Sequence, residues 1–411
     1  MKLLHTADWH LGHRLHGHER YFEHRSFLDW LMNEISQRDI DGLLVAGDVF
    51  DTANPSATSW QLFYQFLATL RQQRPHLNVI IIAGNHDSPS KLDAPHELLK
   101  SFDLHLIGAV ERDTDGRLNC DKLAIPLKDR TGCVQAWCAA VPFLRSADLR
   151  MDEEQSGEED RLVAGVREVY QQVFAHIDSL RTAEQPLLAM GHAYLQSGEL
   201  SELSERKVLG GNQHALPLSV FNGADYVALG HLHLAQSLSE QVHYAGSPLP
   251  LSLAEQNYPH QLIELTVAEH QITVTDKIRI PRTVDILRLP AQPAPLDEVL
   301  AELDELSLAD LPHNQRPFLE VRVRLEKPEA RLRERILAAL ADKPVRLARI
   351  YTEYSGHGLG IADQMTSVPL DSLSPREVFE LCYQRQYASS PDSVLLNCFE
   401  ELETALENEA L

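Results

Sequence analysis

The chain has 411 residues, and its shares of hydrophobic residues (44%) and charged residues (24%) are typical of globular domains with a sizeable core. A formal net charge of −23 argues against DNA binding by overall charge, so a nucleic-acid function would need a local basic groove or a DNA-binding partner. The sequence has no run of 18 apolar residues, no signal-peptide pattern and no CxxC motif among its five cysteines. We therefore expect a cytoplasmic protein without a membrane span or a disulfide framework.

Apolar runs rich in β-branched residues predict buried strands in the first 280 residues. In chain order, strands are expected at 2–6, 41–46, 78–83, 185–190, 224–229 and 244–248, followed by a β-hairpin at 261–280. Helical spacing of apolar residues predicts helices at 23–38, 56–74 and 161–180. This alternation predicts βαβ units and an α/β fold in which helices cover a sheet.

The pattern changes near Pro281. A strand–helix–strand–helix–strand order predicts a small α+β domain, in which residues 290–295, with three prolines, form a turn or linker. Ser374 as cap and Pro375 at the first helical position predict a helix start, and two helical stretches follow. We therefore expect a catalytic domain at 1–280, an α+β domain at 281–355 and a helical tail at 356–411.

Side chains that commonly bind metals follow five of the predicted strands. The segments are Asp8-Trp9-His10, Gly47-Asp48, Gly84-Asn85-His86-Asp87, Gly191-His192 and Gly230-His231-Leu232-His233. Ligands of open α/β sheets gather at the carboxyl ends of the strands, so we expect these segments to converge on one site. Each segment alone is more often a surface or capping feature, and the functional interpretation depends on all five occurring in order.

Seven side chains of these segments are candidate metal ligands, namely Asp8, His10, Asp48, Asn85, His192, His231 and His233. Carboxylate, amide and imidazole donors without thiolate suit manganese, iron, zinc or magnesium ions. Seven ligands fit two octahedral ions that share one carboxylate, for which Asp48 is the candidate. Two ions about 3.5–4 Å apart clamp a phosphodiester and lower the pKa of a bridging water, so that hydroxide attacks in line.

Three further residues are candidates for roles beside the ions. His86 is left over from the ligand set and is a candidate to donate a proton to the leaving oxygen or to stabilise developing charge. Asp51 and Asp87 are candidates to orient histidines. Residues 13–25 contain four histidines and three arginines, which either contact phosphate or form a solvated loop and helix start.

The five motifs, extended to Asp51, read DxH, GDxxD, GNHD, GH and GHxH, and in this order they resemble the calcineurin-like metallophosphoesterases. Within that superfamily, the segments at 4–12, 46–52, 228–233 and 244–252 resemble the SbcD branch. The resemblance covers residues 1–280. Beyond residue 280 the resemblance is limited to the order of the domains, a small capping domain followed by a helical tail.

The resemblance implies a layered αββα fold and two manganese ions. By the same resemblance, Asp8, His10, Asp48 and His233 hold one ion, Asp48, Asn85, His192 and His231 hold the other, and His86 is the catalytic histidine. It further implies exonuclease action on double-stranded DNA ends and endonuclease action on single strands and hairpins, in DNA repair and recombination. Some relatives have a histidine where Asp51 stands, so a phosphate-positioning role of Asp51 is an open question.

The resemblance also implies a homodimer bound to an SMC-like ATPase, SbcC, and acting on DNA at the nucleoid. If the ATPase binds much of the DNA, this chain needs no net positive charge. From Ser374 to Leu411 there are two arginines and eight acidic residues, with apolar residues at helical spacing. One hypothesis is that this tail docks on a basic helical surface of the ATPase. The alternative is a helical pair packed on the chain's own core.

Two other functions share the same motifs. A phosphoprotein phosphatase or small-molecule phosphodiesterase can have this catalytic layout, because function depends on the surroundings of the site. A scaffold or ATPase-regulating protein with a vestigial site is the second alternative, and the complete ligand set argues against it.

Overall fold

The computed structural model describes residues 1–149, 158–196, 198–199, 215–327, 329–354, 375–387, 390–391, 395–396 and 399. The chain divides into two compact units, Met1–Val284 and Asp285–Leu411. The predicted cap Ser374 and most of the second helical stretch of the tail lie outside the described residues. No helix within these ranges is long and apolar enough to cross a membrane.

The strands of the first unit are β1 (Lys2–Thr6), β2 (Arg14–Leu15), β3 (His18–Glu19), β4 (Gly42–Ala46), β5 (Asn78–Ile82), β6 (Leu104–Ile107), β7 (Ala124–Lys128), β8 (Val134–Ala140), β9 (Leu187–His192), β10 (Tyr226–Gly230), β11 (Gln236–Ser237), β12 (Val242–Tyr244), β13 (Gln261–Ala268) and β14 (Gln271–Arg279). Its α-helices are α1 (Tyr21–Gln37), α2 (Ala57–Gln73), α3 (Pro89–Asp93), α4 (His96–Lys100), α5 (Cys120–Leu123) and α6 (Glu158–Leu180).

Twelve of these strands form two six-stranded sheets, in the orders β14-β13-β1-β4-β5-β6 and β11-β12-β10-β9-β8-β7. The strands β1, β4, β5 and β6 run parallel in the first sheet, as do β12, β10, β9 and β8 in the second. Parallel strands are covered on both faces and therefore have continuous apolar sequences. This explains why every residue of β4 and of β5 is buried.

Alternate side chains of the first sheet enter two different cores. Leu3 and Leu44 belong to the core that also contains residues of the second sheet and of α6. Their neighbours Leu4 and Leu43 pack with the apolar faces of α1 and α2. The layer order is therefore helices, sheet, sheet, helix, and the predicted αββα arrangement is confirmed.

The strands that precede the predicted ligands are neighbours in space. β1, β4 and β5 are adjacent in the first sheet, and β9 and β10 are adjacent in the second. His192, at the end of β9, has its Nδ1 2.8 Å from the carbonyl oxygen of Ala46, at the end of β4. The two sheets therefore approach each other where these strands end.

The second unit contains β15 (Ile286–Pro295), α7 (Leu296–Glu305), β16 (Phe318–Leu325), α8 (Leu332–Ala339), β17 (Arg346–Tyr354) and α9 (Pro375–Tyr387). Its three strands form a parallel sheet in the order β15-β16-β17. The core of this unit joins Val299 and Leu303 of α7, Val321 of β16 and Ile336 of α8.

The prediction of a turn or linker at residues 290–295 is wrong. These residues continue β15 to its end at Pro295, with an irregular register between Leu289 and Ala294. β15 is an edge strand, and prolines are tolerated on an edge because the missing N–H groups face away from the neighbouring strand.

A buried histidine bridges the two large sheets. His5 of β1 has Nδ1 3.0 Å from the hydroxyl of Tyr226 and Nε2 3.1 Å from the carbonyl oxygen of Leu229, both in β10. A carbonyl only accepts, so Nε2 carries the proton and Nδ1 accepts from the hydroxyl. Burial, together with the nearby His243, lowers the pKa of His5 to about 3. His5 is therefore neutral in the folded protein over the whole physiological range.

We predict that His5 makes the fold sensitive to acid. Between the ordinary histidine pKa of 6.5 and the folded value of about 3, the unfolded chain binds a proton at this site and the folded chain does not. The free energy of unfolding then falls as the pH is lowered through this window, by up to about 1.4 kcal/mol per pH unit from this group.

Urea unfolding with a chelator present, at several values between pH 7 and pH 4, checks this prediction. His5→Gln should be less stable at pH 7 but should show a shallower pH dependence than the wild type. The same substitution at His270, whose side chain is exposed, controls for a general effect of replacing a histidine by glutamine. An equal slope in wild type and His5→Gln would contradict the assignment.

Candidate metal centre

The loops that follow β1 and β4 lie side by side. Asp8 N–H donates to the carbonyl oxygen of Gly47 at 3.0 Å, and His10 N–H donates to that of Asp48 at 3.0 Å. Asp8, His10 and Asp48 have left-handed backbones, with φ of 53°, 45° and 46°. This conformation costs a non-glycine residue about 1–2 kcal/mol, and such strain concentrates at functional sites.

Glycines next to the candidate ligands allow unusually close approaches. A Cβ on Gly230 would lie 1.9 Å from the carbonyl oxygen of Ala46, and one on Gly84 would lie 2.1 Å from Oδ1 of Asp48. A Cβ on Gly47 would lie 2.2 Å from Nδ1 of His192. Glycine is therefore required next to these ligands for a steric reason, because chain segments pack closely across the site.

Four predicted ligands meet where β4, β5, β9 and β10 end. Nε2 of His192 lies 3.3 Å from Oδ2 of Asp48 and 3.0 Å from Oδ1 of Asn85. Nδ1 of His231 lies 3.0 Å from the same Asn85 oxygen. Two imidazoles thus converge on the amide oxygen of Asn85 with the Asp48 carboxylate beside them, as expected for donors that surround one cation.

The remaining predicted ligands lie on the other side of Asp48. Nε2 of His10 is 3.5 Å from Oδ2 of Asp48, and the rings of His10 and His233 have centroids 5.3 Å apart. Asp8 accepts the N–H of His231 on Oδ1 at 2.9 Å. Asp48 belongs to both groups of side chains that are close enough to share an ion, Asp8–Asp48–His192 and His10–Asp48–His86.

Buried polar atoms at this site fit a bound cation. Oδ2 of Asp8 and Nε2 of His10 are buried and have no hydrogen-bond partner within the described part of the chain. Burial raises the pKa of Asp8 to about 7, against the opposing effect of His192. For His192, burial is outweighed by the Asp48 carboxylate, which raises the pKa to about 9. Two buried carboxylates, one of them with an unsatisfied oxygen, are the environment that a divalent cation stabilises.

His86 is placed beside this cluster and is half-buried. Its backbone N–H donates to Oδ1 of Asp48 at 2.8 Å, and its ring centroid lies 4.8 Å from that of His10. Nδ1 lies 2.8 Å from the carbonyl oxygen of Asp51. Because a carbonyl only accepts, Nδ1 carries a proton, and Nε2 is left for contacts in the cleft.

The two aspartates expected to orient histidines behave differently. Oδ1 of Asp51 lies 3.4 Å from Nδ1 of His10, so its charge faces that ring, although Nδ1 has no hydrogen-bond partner in the described part of the chain. The carboxylate of Asp87 instead accepts the backbone N–H groups of Val49, Phe50 and Gly84, at 2.8–3.1 Å. Asp87 therefore holds the backbone of the two loops that carry Asp48 and Asn85, and it contacts no histidine side chain through these bonds.

The histidine- and arginine-rich segment at 13–25 divides between the cleft, the core and the surface. His13 and Arg14 line a cleft of about 450 Å³ together with His10, Asp48, Asn85, His86, His231 and His233. Arg20, by contrast, is buried and pairs with Glu23, and His24 is buried on α1. Only the start of the segment faces the cleft. Arg20 and His24 belong to the core, which neither interpretation predicted, and Arg25 is exposed.

One residue that contacts the cluster has no motif signal in the sequence. Glu255 lies 22 positions beyond His233, in a short 3-10 turn, and its Oε1 is 3.1 Å from Nδ1 of His233. The contact between Glu255 and His233 was not predicted from the sequence, because the residues between them carry no pattern that indicates that the two side chains meet.

The double sheet and the ligand cluster at its strand ends define a metallophosphoesterase. The family model described as calcineurin-like phosphoesterase matches residues 1–235, and that described as type 5 capsule protein repressor C-terminal domain matches residues 282–387. This chain belongs to the SbcD family of calcineurin-like phosphoesterases. The resemblance inferred from the motifs is thereby confirmed, and the family supports divalent metal ions at the site.

Curated relatives align along most of the chain. The chain is 41% identical to the SbcD component of the SbcCD nuclease of Rhodobacter capsulatus, over 85% of its own length and 86% of the relative. It is 28% identical to the protein of the same name from Escherichia coli K12, over 92% of both. With the one from Bacillus subtilis it shares 27% identity, over 100% of this chain and 99% of the other.

We predict that Gly47→Ala disrupts the metal centre in addition to the energetic cost of placing alanine in a left-handed backbone. Gly47 and Gly132 have nearly the same φ, 90° and 86°, but a Cβ at Gly132 would meet nothing within 4 Å. Alanine should cost about 1 kcal/mol at either position because of the left-handed backbone. At Gly47 it must also displace His192, so we expect a larger loss of stability and weaker metal binding.

Urea unfolding and counting of bound metal in both variants test this prediction. Gly132→Ala should retain the metal content of the wild type. If Gly47→Ala and Gly132→Ala lose the same stability and retain the same metal content, the crowding argument is wrong.

Proposed function

We propose that this chain is the nuclease component of an SbcC–SbcD-type complex and hydrolyses DNA phosphodiesters. The observation that supports this most strongly is the cluster of seven metal-type donors, five of which line one cleft together with His86. The relatives named as SbcCD nucleases align along most of the chain's length. Exonuclease action on double-stranded ends and endonuclease action on single strands and hairpins belong to this proposal, as does a role in DNA repair and recombination.

In this proposal two divalent ions share Asp48. Asp8, His10 and His233 complete the ligands of one ion, and Asn85, His192 and His231 complete those of the other. Bound there, such ions polarise the phosphodiester and lower the pKa of a water molecule. Manganese suits this mixed set of imidazole and oxygen donors. Iron, zinc and magnesium are the alternatives, and analysis of the bound metal would distinguish them.

His86 acts on the reacting groups in this proposal. Its proton on Nδ1 is held by the carbonyl oxygen of Asp51, which fixes the plane of the ring beside His10. Nε2 can then donate a proton to the leaving oxygen when the ring is protonated, or contact the phosphate. The short link from Asp51 to both His10 and His86 keeps a ligand and the catalytic ring in a defined relation.

We expect His86→Ala to separate chemistry from metal binding. The variant should keep two ions and lose about 100- to 10,000-fold in cleavage rate, the usual contribution of a proton donor. Asp48→Ala should lose both metal and cleavage, because Asp48 lies in both donor groups. His76→Ala, an exposed site next to the start of β5, should behave as wild type.

The measurement is manganese-dependent cleavage of a labelled hairpin and a linear duplex, with bound metal counted for each variant. Wild type that holds two ions but leaves DNA intact, even with an SbcC-type ATPase and ATP, would contradict the nuclease proposal. The site would then be a phosphoesterase site for other phosphate esters, and activity on a small chromogenic diester would support that alternative.

The charge distribution supports a partner that contributes to DNA binding. Within the described part of the chain, Arg14 is the one arginine whose side chain lines the cleft. Other arginines are engaged in ion pairs, such as Arg38 with Glu34, Glu264 and Asp276. An SbcC-type ATPase bound to a dimer of this chain at the nucleoid would provide the missing positive surface.

The proposed domain roles follow the same scheme, with a nuclease domain at 1–280, a capping domain at 281–355 and an ATPase-binding tail at 356–411. In the described part of the tail, α9 places Tyr387 with its ring 5.1 Å from that of Tyr354 in β17. The ring of Phe379 stacks on that of Phe399 at 4.4 Å. The start of the tail therefore packs on its own unit, and we propose that residues further on bind the partner.

Truncation after Ser367 tests the role of the tail. We expect the truncated chain to lose co-purification with an SbcC-type ATPase and to keep manganese-dependent nuclease activity, because the cleft lies wholly in the first unit. Co-purification at the level of the full chain would show that the tail is dispensable for the complex.

A further inference from the structure

A fully buried carboxylate touches the metal cluster from outside the predicted ligand set. Glu255 is 0% exposed, and its Oε1 lies 3.1 Å from Nδ1 of His233. Its Oε2 accepts the backbone N–H of Leu251 at 2.8 Å, and the hydroxyl of Ser252 lies 3.4 Å from Oε1. A carboxylate only accepts hydrogen bonds, so Nδ1 of His233 carries a proton and Nε2 has the lone pair that a metal ion requires.

The segment around Glu255 is tied to the site at two points and to the core at a third. The N–H of Ser247 donates to the carbonyl oxygen of His233 at 3.1 Å, and Arg20 donates to the carbonyl oxygen of Pro250 at 2.5 Å. Glu255 provides the third link through Leu251, which lines the cleft. One carboxylate therefore contacts both a candidate ligand and the wall of the cleft beside it.

The negative charge of Glu255 is costly to bury whatever hydrogen bonds the carboxylate makes. Burying a carboxylate has an effective cost of several kcal/mol, which good hydrogen bonds offset only in part. A neutral side chain would avoid that cost if holding the turn at Leu251 were the whole role. A carboxylate behind an imidazole also increases the electron density on the other ring nitrogen, which strengthens that nitrogen as a donor to a cation.

We propose that Glu255 is a positioning residue for His233, and that its negative charge sets the affinity of one of the two metal ions. The proposal rests on the proposed role of His233 as a metal ligand. Glu255 touches neither substrate nor ion, and it acts by fixing the tautomer, the orientation and the basicity of the His233 ring.

Matched variants separate this role from a purely structural one. Glu255→Gln keeps the size of the side chain but removes the charge and one acceptor. Ser252→Ala removes a donor to the same carboxylate without altering the contact with His233. Glu264→Gln makes the identical substitution at another buried glutamate of the first unit, one that pairs with Lys2 and Arg38 instead. His233→Ala reports on the ligand itself.

The experiment is a titration of each full-length variant with Mn²⁺, in which free Mn²⁺ is measured by its electron paramagnetic resonance signal, with unfolding in chelator followed in parallel. We expect Glu255→Gln to weaken one of the two binding events by about 10- to 100-fold and to leave the other as in the wild type. Ser252→Ala and Glu264→Gln should bind both ions as the wild type does, whatever their stability. His233→Ala should lose the same event that Glu255→Gln weakens.

Two results would overturn the inference while the proposed nuclease function stands. One is unchanged Mn²⁺ affinity in Glu255→Gln beside a lost event in His233→Ala. The other is an equal weakening in Glu264→Gln, which would trace the effect to general destabilisation. If His233→Ala itself binds both ions normally, the ligand assignment fails and the inference fails with it.

Discussion

Two carboxylates, Asp8 and Asp48, are buried where the strand ends of the two large sheets meet, and the surrounding structure compensates for their charge. Asp8 accepts a backbone N–H from the loop after β10, and Asp48 accepts one from the loop after β5. Glycines at 47, 84 and 230 remove the side chains that would keep these loops apart. Bringing the two sheets together therefore also brings two negative charges together, and bound divalent cations would compensate for the charge that remains.

Three of the imidazoles around these carboxylates are each held by one ring nitrogen. His192 is held by the carbonyl oxygen of Ala46 and His86 by that of Asp51, whereas His233 is held by the carboxylate of Glu255. Fixing one nitrogen determines the tautomer and aims the other nitrogen at the site. The strained backbone at Asp8, His10 and Asp48 also helps to preorganise the site. The loops hold these residues in left-handed conformations that the unfolded chain would rarely adopt.

Much of the fold follows from local patterns. Apolar runs in β4 and β5 predict buried strands because a parallel strand hides both faces, and the donors at the ends of these runs predict a site at one edge of the sheets. The residues at 290–295 show where local patterns fail. Their prolines indicate a turn, yet they form an edge strand, because the cost of a proline depends on which neighbours the strand has.

The sequence by itself determined the α/β class, the seven candidate ligands and the family, because each depends on residue types and spacings within short segments. The layered αββα order followed from the family resemblance. Only the tertiary structure decided what the supporting side chains contact. Asp87 holds backbone instead of a histidine, Arg20 reaches Pro250 across 230 positions, and Glu255 meets His233 across a turn. These contacts join segments that are distant or unrelated in sequence, and hydrogen-bond partners of buried groups are chosen by the packing of the whole domain.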